Sequence, residues 1–165
     1  MDDGDVIAID LGTTTLEFAR ALMGKKRNLT VLTNSIPIAV VLSEDDNTRV
    51  YMMGGEVRKK ELSVSGHLAD ENMRLFQTDK IFLGVGGLTE NFGITDFHVE
   101  ETPFRRIGVK RTQKVLALAD HSKIGVTGMN HVCDLSELDV LITDRETDKT
   151  VINRLRSSGV EVYLA

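Results

Sequence analysis

The first residues that could do chemistry follow a short apolar run near the start of the chain. Val6–Ile9 is uniformly apolar and leads into Asp10. Gly12 follows two residues later and would let a ligand approach the backbone closely. After it come three hydroxyl-bearing residues at the predicted start of a helix: Thr13, Thr14 and Thr15. A helix N-terminus carries unpaired N–H groups and a partial positive charge, so this segment predicts an anion site.

Segments of the same character follow other predicted strands. They are Thr33, Asn34 and Ser35; Gly54 and Gly55; Gly86 and Gly87; and Asp120, His121 and Lys123. In any one of these segments, helix capping would be enough to explain the polar residues. Their joint occurrence at five strand ends favours ligand binding, with Lys123 adding a positive charge and Arg58 a forked donor beside a phosphate. The pattern matches neither a Walker A loop nor the G-x-G-x-x-G dinucleotide motif, and no cofactor is predicted.

The elements that must position these segments alternate along the chain. Apolar runs typical of strands cover residues 6–9, 29–33, 50–53, 81–85, 115–119, 140–143 and 160–164. Segments of helical period cover residues 15–23, 36–42, 67–76, 100–111 and 148–158, and the polar stretch 56–65 has no predicted element. This alternation predicts a three-layer α/β/α, Rossmann-like fold with a mostly parallel sheet. Ligands of such sheets bind beyond the carboxyl ends of the strands.

Composition narrows the functional classes. The 165 residues suit one domain, here spanning residues 1–165, and the net charge of -5 argues against DNA binding by this chain alone. The single cysteine, Cys133, excludes an internal disulfide framework and fits a reducing cytoplasm, where we expect the protein to act. No apolar run is long enough to cross a membrane. The acidic N-terminus is unlike a signal peptide.

Candidate catalytic and metal-binding residues are scattered. Glu90, Asp96, His98 and His121 are possible bases, but none lies in a motif for proton abstraction, and Glu90 and Asp96 are expected in solvated loops. The basic residues of the 100–111 helix are expected on an exposed face: Arg105, Arg106, Lys110 and Arg111. His131 and Cys133 lack the further ligands of a structural zinc site, so no metal is predicted.

In the order and spacing of its segments, the chain resembles the C-terminal effector domain of the DeoR family of bacterial regulators. The segments that carry the resemblance are residues 10–15, 33–35, 53–58, 79–84, 93–95, 119–125 and 141–144. The resemblance implies a fold related to ribose-5-phosphate isomerase and glucosamine-6-phosphate deaminase. It also implies a phosphorylated sugar or polyol as effector, and an N-terminal helix-turn-helix domain, absent from this chain, that binds operator DNA. In one departure, Gly86 stands where related proteins often carry an aspartate.

These observations predict a sugar-phosphate-sensing domain of a transcriptional repressor, without enzymatic activity. Regulators that bind palindromic operators are normally dimers or larger, so a homo-oligomer is expected. A sugar-phosphate isomerase-like enzyme is the alternative. A fragment of an actin or sugar-kinase type ATPase is a weaker one, because residues 16–23 after the first loop have helical period, whereas that fold needs a second strand there.

Overall fold

The computed structural model describes residues 1–165 and contains twelve strands and five α-helices. The strands are β1 (Val6–Ile9), β2 (Leu29–Thr33), β3 (Thr48–Met52), β4 (Glu56–Arg58), β5 (Ser63–Ser65), β6 (Thr78–Gly84), β7 (Gly87–Thr89), β8 (Gly93–Asp96), β9 (Thr112–Leu118), β10 (Asn130–Cys133), β11 (Val140–Thr143) and β12 (Glu161–Leu164). The helices are α1 (Thr13–Leu22), α2 (Ile36–Leu42), α3 (His67–Arg74), α4 (Thr102–Lys110) and α5 (Lys149–Ser157).

Seven strands form a parallel central sheet in the order β12-β11-β9-β6-β1-β2-β3. The chain builds outward from β1 in one direction through β2 and β3, then returns to the other side of β1 with β6 and continues through β9, β11 and β12. The strand order therefore reverses between β1 and β6, where Ile9 pairs with both Thr33 and Phe82. A crevice at such a reversal is where open α/β sheets bind ligands. The predicted fold class and the parallel sheet are confirmed.

Apolar side chains cover both faces of the sheet, as expected for parallel strands. Ile7 and Ile9 of β1 belong to a cluster of 12 buried residues that includes side chains of α1 and α2. Ala8, between them, belongs to a cluster of 26 buried residues that includes side chains of α3, α4 and α5. Successive residues of a strand point to opposite faces, so the short run 6–9 anchors both helical layers.

Two antiparallel units were not expected from the sequence. The polar stretch 56–65 forms a hairpin of β4 and β5, and β7, β8 and β10 form a three-stranded sheet in the order β10-β8-β7. Unlike β1 and β11, which are apolar runs of similar length, these strands mix apolar residues with glycine and polar residues, and β10 pairs with β8 from more than thirty residues away. Other boundaries differ by a few residues; for example, the helix predicted over 100–111 spans Thr102–Lys110.

The element that follows the first loop tests the interpretation as an actin or sugar-kinase type ATPase. The kinase-type fold requires a second strand directly after the first loop. Here residues 13–22 form helix α1 instead. The structure therefore excludes the sugar-kinase interpretation. None of the helices is both long and apolar enough to span a membrane.

Candidate functional site

A cavity of about 260 Å³ opens at the reversal point of the sheet. Its walls come from the residues that follow β1, β6 and β9, together with parts of α4, of the loop before it and of the β4–β5 hairpin. The lining residues are Leu11, Gly12, Thr13, Thr14, Glu61, Gly84, Val85, Gly86, Asp96, His98, Glu101, Arg105, Leu118, Ala119, Asp120 and Lys123. Most of them are polar or small, which suits a hydrophilic ligand.

The N-terminus of α1 forms one wall and has no side-chain cap. Gly12 has a φ of 143°, a backbone conformation that residues with a side chain rarely adopt, and leads directly into Thr13 and Thr14. In contrast, the neighbouring helix α2 is capped by Ser35, whose side chain accepts a hydrogen bond from the Ile38 amide. The first amide groups of α1 therefore remain available to an anion in the cavity.

The segment after β9 brings a positive charge to the same side. His121–Lys123 forms a short 3-10 turn, capped by Asp120, whose Oδ1 accepts a hydrogen bond from the Ser122 amide at 2.8 Å. Lys123 and Asp120 line the cavity, and Asp120 also shares an adjacent apolar pocket with Thr14. A lysine and an uncapped helix N-terminus are thus placed beside the same space.

A buried ionic cluster forms the base of the cavity and was not predicted. Arg105 is only 3% exposed, and its three nitrogens each face a different carboxylate. Nε donates to Asp10 at 2.6 Å, Nη2 to Glu101 at 3.4 Å, and Nη1 contacts Asp96. Arg58 of the hairpin also contacts Glu101. Burial raises the pKa of the Asp10 carboxyl, and the adjacent Arg105 guanidinium opposes this effect.

Two expectations from the sequence were wrong at this cluster. Arg105 lies on the buried side of α4 rather than on an exposed face, and Asp96 is 4% exposed rather than part of a solvated loop. A signal for Arg105 was present, because it precedes the buried Gly108 and Val109 by three and four residues, the spacing of one helix face. Nothing comparable marked Asp96, whose burial depends on the unpredicted sheet of β7, β8 and β10.

The glycine pair after β6 has two different surroundings. Gly86 lines the cavity, and a side chain there would come within about 3.0 Å of Asp96. Asp96 of β8 thus occupies the space beside Gly86. Gly87 does not line the cavity and packs against the backbone of Val126, which leaves no space for a side chain.

The remaining predicted site residues lie outside the cavity lining. Thr15, Thr33, Asn34 and Ser35 are buried beneath the strand ends, and Asp10 is buried behind the lining, where it pairs with Arg105. Gly54 and Gly55 lie beside Asn72 and the β5 strand. Arg58 contacts Glu101 from outside the lining, and the His121 ring contacts Asp144. The structure thus brings together six predicted residues: Gly12, Thr13, Thr14, Gly86, Asp120 and Lys123.

Comparison with protein families agrees with this architecture. The family model of the DeoR C-terminal sensor domain matches residues 1–145. The chain belongs to this family. The sensor domain is 36% identical over 162 residues to the HTH-type transcriptional repressor GlcR of Bacillus subtilis, covering 98% of this chain and 62% of that protein. It is 32% identical over 163 residues to the HTH-type transcriptional regulator GolR of Listeria innocua, covering 99% of this chain and 64% of that protein. The sensor domain thus spans less than two thirds of the length of these relatives.

Solved structures with the same fold are more distant in sequence. Ribose 5-phosphate isomerase from Plasmodium falciparum aligns with a TM-score of 0.52 and 13% identity, over 78% of the sensor domain and 48% of the isomerase. A D-ribose-5-phosphate isomerase in complex with phospho-erythronic acid aligns with a TM-score of 0.53 and 16% identity, over 75% and 48%. eIF2B beta from Chaetomium thermophilum aligns with a TM-score of 0.52 and 13% identity, over 86% of the sensor domain and 44% of the eIF2B chain. At these identities the similarity shows the fold alone.

One group of side chains in the sensor domain has the spacing of metal ligands. Asp120, His121 and Asp144 each offer an atom within 4.8 Å of the others, on the exposed side of the 3-10 turn. The hydrogen bond between the His121 ring and Asp144 raises the pKa of His121. These contacts account for the arrangement as hydrogen bonds that tie the turn to the residue after β11.

Proposed function

We propose that this chain is the effector-binding domain, residues 1–165, of a cytoplasmic, homo-oligomeric repressor, and that its cavity binds a phosphorylated sugar or polyol. The observation that carries the proposal is the uncapped N-terminus of α1 beside Lys123 at the reversal point of the sheet. A phosphate placed there would accept hydrogen bonds from helix N–H groups and face a lysine ammonium. Membership of a sensor-domain family whose relatives are named as repressors supports a regulatory role.

The contacts of the acidic residues argue against catalysis. Asp96 contacts Arg105 and accepts a hydrogen bond from the His98 amide, while Glu101 contacts both Arg58 and Arg105. Both carboxylates are thus engaged by guanidinium or amide donors, so neither is positioned to abstract a proton from a sugar carbon. We infer that the cavity holds its ligand without converting it. A coupled assay with ribose 5-phosphate and hexose 6-phosphates tests this, and turnover abolished by Asp96→Asn would overturn it.

In the longer regulator, the ligand would act by changing the affinity of a helix-turn-helix domain for operator DNA. The acidic sensor domain itself would not bind DNA, because phosphate neutralisation requires basic surface. A gel shift with a candidate operator tests both points. The isolated chain should not shift the DNA, and the full-length regulator should do so to an extent that depends on the sugar phosphate.

Calorimetry with matched pairs of phosphorylated and unphosphorylated sugars tests the ligand class directly. The phosphorylated member should bind more tightly, and Lys123→Ala should weaken its binding by about tenfold to a hundredfold, the loss of one charge-assisted contact of roughly 1.5–3 kcal/mol. Lys25→Ala is the matched control, because Lys25 is exposed beyond the other end of α1. Equal binding of the neutral sugar, or an unchanged affinity of Lys123→Ala, would contradict the proposal.

A further inference from the structure

The charges around the cavity are distributed unevenly between two halves. Along the sheet, Lys123 belongs to the β9 side, and the N-terminus of α1 follows β1. Glu61 enters from the far side, at the turn of the β4–β5 hairpin, which is joined to the loop after β2 through the Ser35–Ser63 bridge. We call the first side, with Thr13, Thr14, Asp120 and Lys123, the phosphate half; its one carboxylate, Asp120, accepts hydrogen bonds from the amide and hydroxyl of Ser122 in its own turn. The second, with Glu61, Asp96, His98, Glu101 and Arg105 in the lining and with Arg58 and Asp10 paired to them behind it, is the carboxylate half.

The carboxylate half has more negative than positive groups. Arg58 and Arg105 are its only guanidinium groups, and they contact Asp10, Asp96 and Glu101. Glu61 adds a fourth carboxylate and is exposed at the cavity mouth. Within this half, two guanidinium groups therefore face four acidic groups; Lys59 and Lys60, beside Glu61 on the hairpin turn, are exposed and lie outside the cavity lining. Even when Asp10 is protonated, an excess of one negative charge remains.

The cations of this half are already occupied. Each nitrogen of Arg105 faces a protein carboxylate, and the side chain is 3% exposed, so it cannot swing out to meet a ligand. Arg58 contacts Glu101 and approaches the His98 ring at 3.5 Å. A ligand carboxylate in the carboxylate half would thus meet an excess of like charge, whereas hydroxyl or ammonium groups would meet hydrogen-bond acceptors.

We propose that the cavity selects ligands whose phosphate is their only anionic group, and that it rejects the same carbon chain when the far end is a carboxylate. This inference rests on the proposed function, because it takes the phosphate half as the anion site. An ammonium at the far end is favoured over a hydroxyl for the same reason. Repulsion between two unit charges about 5 Å apart, at an effective dielectric constant of about 20, lowers the affinity by roughly two orders of magnitude. Solvent at the open mouth reduces this effect to about tenfold.

A charge series on one carbon skeleton tests the inference. The probes are erythritol 4-phosphate, 4-phosphoerythronate and 1-amino-1-deoxyerythritol 4-phosphate, with the corresponding hexitol 6-phosphate series, titrated by calorimetry at low ionic strength. Within each series that binds, the alcohol should bind at least about tenfold more tightly than the acid, and the amine at least as tightly as the alcohol. Glu61→Gln should reduce the discrimination against the acid. Glu56→Gln, an exposed change on the same hairpin outside the cavity, should not.

The outcomes separate the two proposals. If alcohol phosphates bind and the acids bind equally or more tightly, the charge selection is wrong while the phosphate site stands. If Glu61→Gln and Glu56→Gln change the discrimination equally, the assignment to the carboxylate half is also wrong. If no phosphorylated member of either series, and no other sugar phosphate, binds to the chain, the proposed function and this inference both fail.

Discussion

Replacement of Arg105 by methionine would test whether the ionic cluster holds the base of the cavity together. The substitution keeps much of the side-chain length but removes the guanidinium that contacts Asp10, Asp96 and Glu101. Because all three carboxylates are at most 4% exposed, they cannot regain hydration without opening the fold. Removing one partner of a buried ion pair typically costs about 3–5 kcal/mol. In a chain of this size that corresponds to a fall in Tm of roughly 6–20 °C.

The assay is urea denaturation at pH 7 and at pH 5. Without the guanidinium, the pKa of Asp10, which burial already raises, should rise further. The folded state then binds protons more tightly than the unfolded state, so the stability lost at pH 7 should be partly recovered as the pH falls toward the unfolded value of 3.8. Arg105→Lys, which keeps a charge but not the fork, should be intermediate.

The control is the next residue along the helix. Arg106 is exposed and donates to the His131 carbonyl at 2.7 Å, so Arg106→Met should cost less than about 1 kcal/mol. The reasoning would be refuted if Arg105→Met were no more destabilising than Arg106→Met. It would also be refuted if the loss in free energy of unfolding caused by Arg105→Met were larger at pH 5 than at pH 7.

Three further predictions concern other parts of the chain. Burial raises the pKa of Cys133 to about 12, so its thiol should react with Ellman's reagent only after unfolding; rapid reaction of the native protein would contradict this. Gly93→Ala should be more destabilising by thermal melting than Gly159→Ala, because both have positive φ but only at Gly93 would the new Cβ meet backbone, at 2.1 Å; equal losses would show that φ alone matters. NMR titration should give His121 a pKa above 6.5, and this pKa should fall in Asp144→Asn. The stabilisation from the contact is then complete below pH 6.5 and is lost as the pH rises through the pKa of the folded state. An unchanged pKa in the variant would exclude the pairing.

The sequence by itself determined the parallel sheet, its helices and the edge at which the cavity lies. These follow from local information, because buried parallel strands are short apolar runs and their carboxyl ends meet at one edge of the sheet. For that reason Gly12, Thr13, Thr14 and Lys123, distant in sequence, were predicted to be neighbours, and all four line the cavity.

Only the tertiary structure decided which polar residues are buried together. Arg105 is 95 residues from Asp10 in the chain, and Asp96 ends a strand that contains glycine and threonine and is not an apolar run. A charged residue becomes a core residue only when its partners converge on it, since an unpaired charge would stay in solvent. Thr33, Asn34 and Ser35 resemble the first loop in composition, but the structure places them outside the cavity lining. Their helix is capped by Ser35 itself, whereas Gly12 leaves the amides of α1 without a side-chain partner.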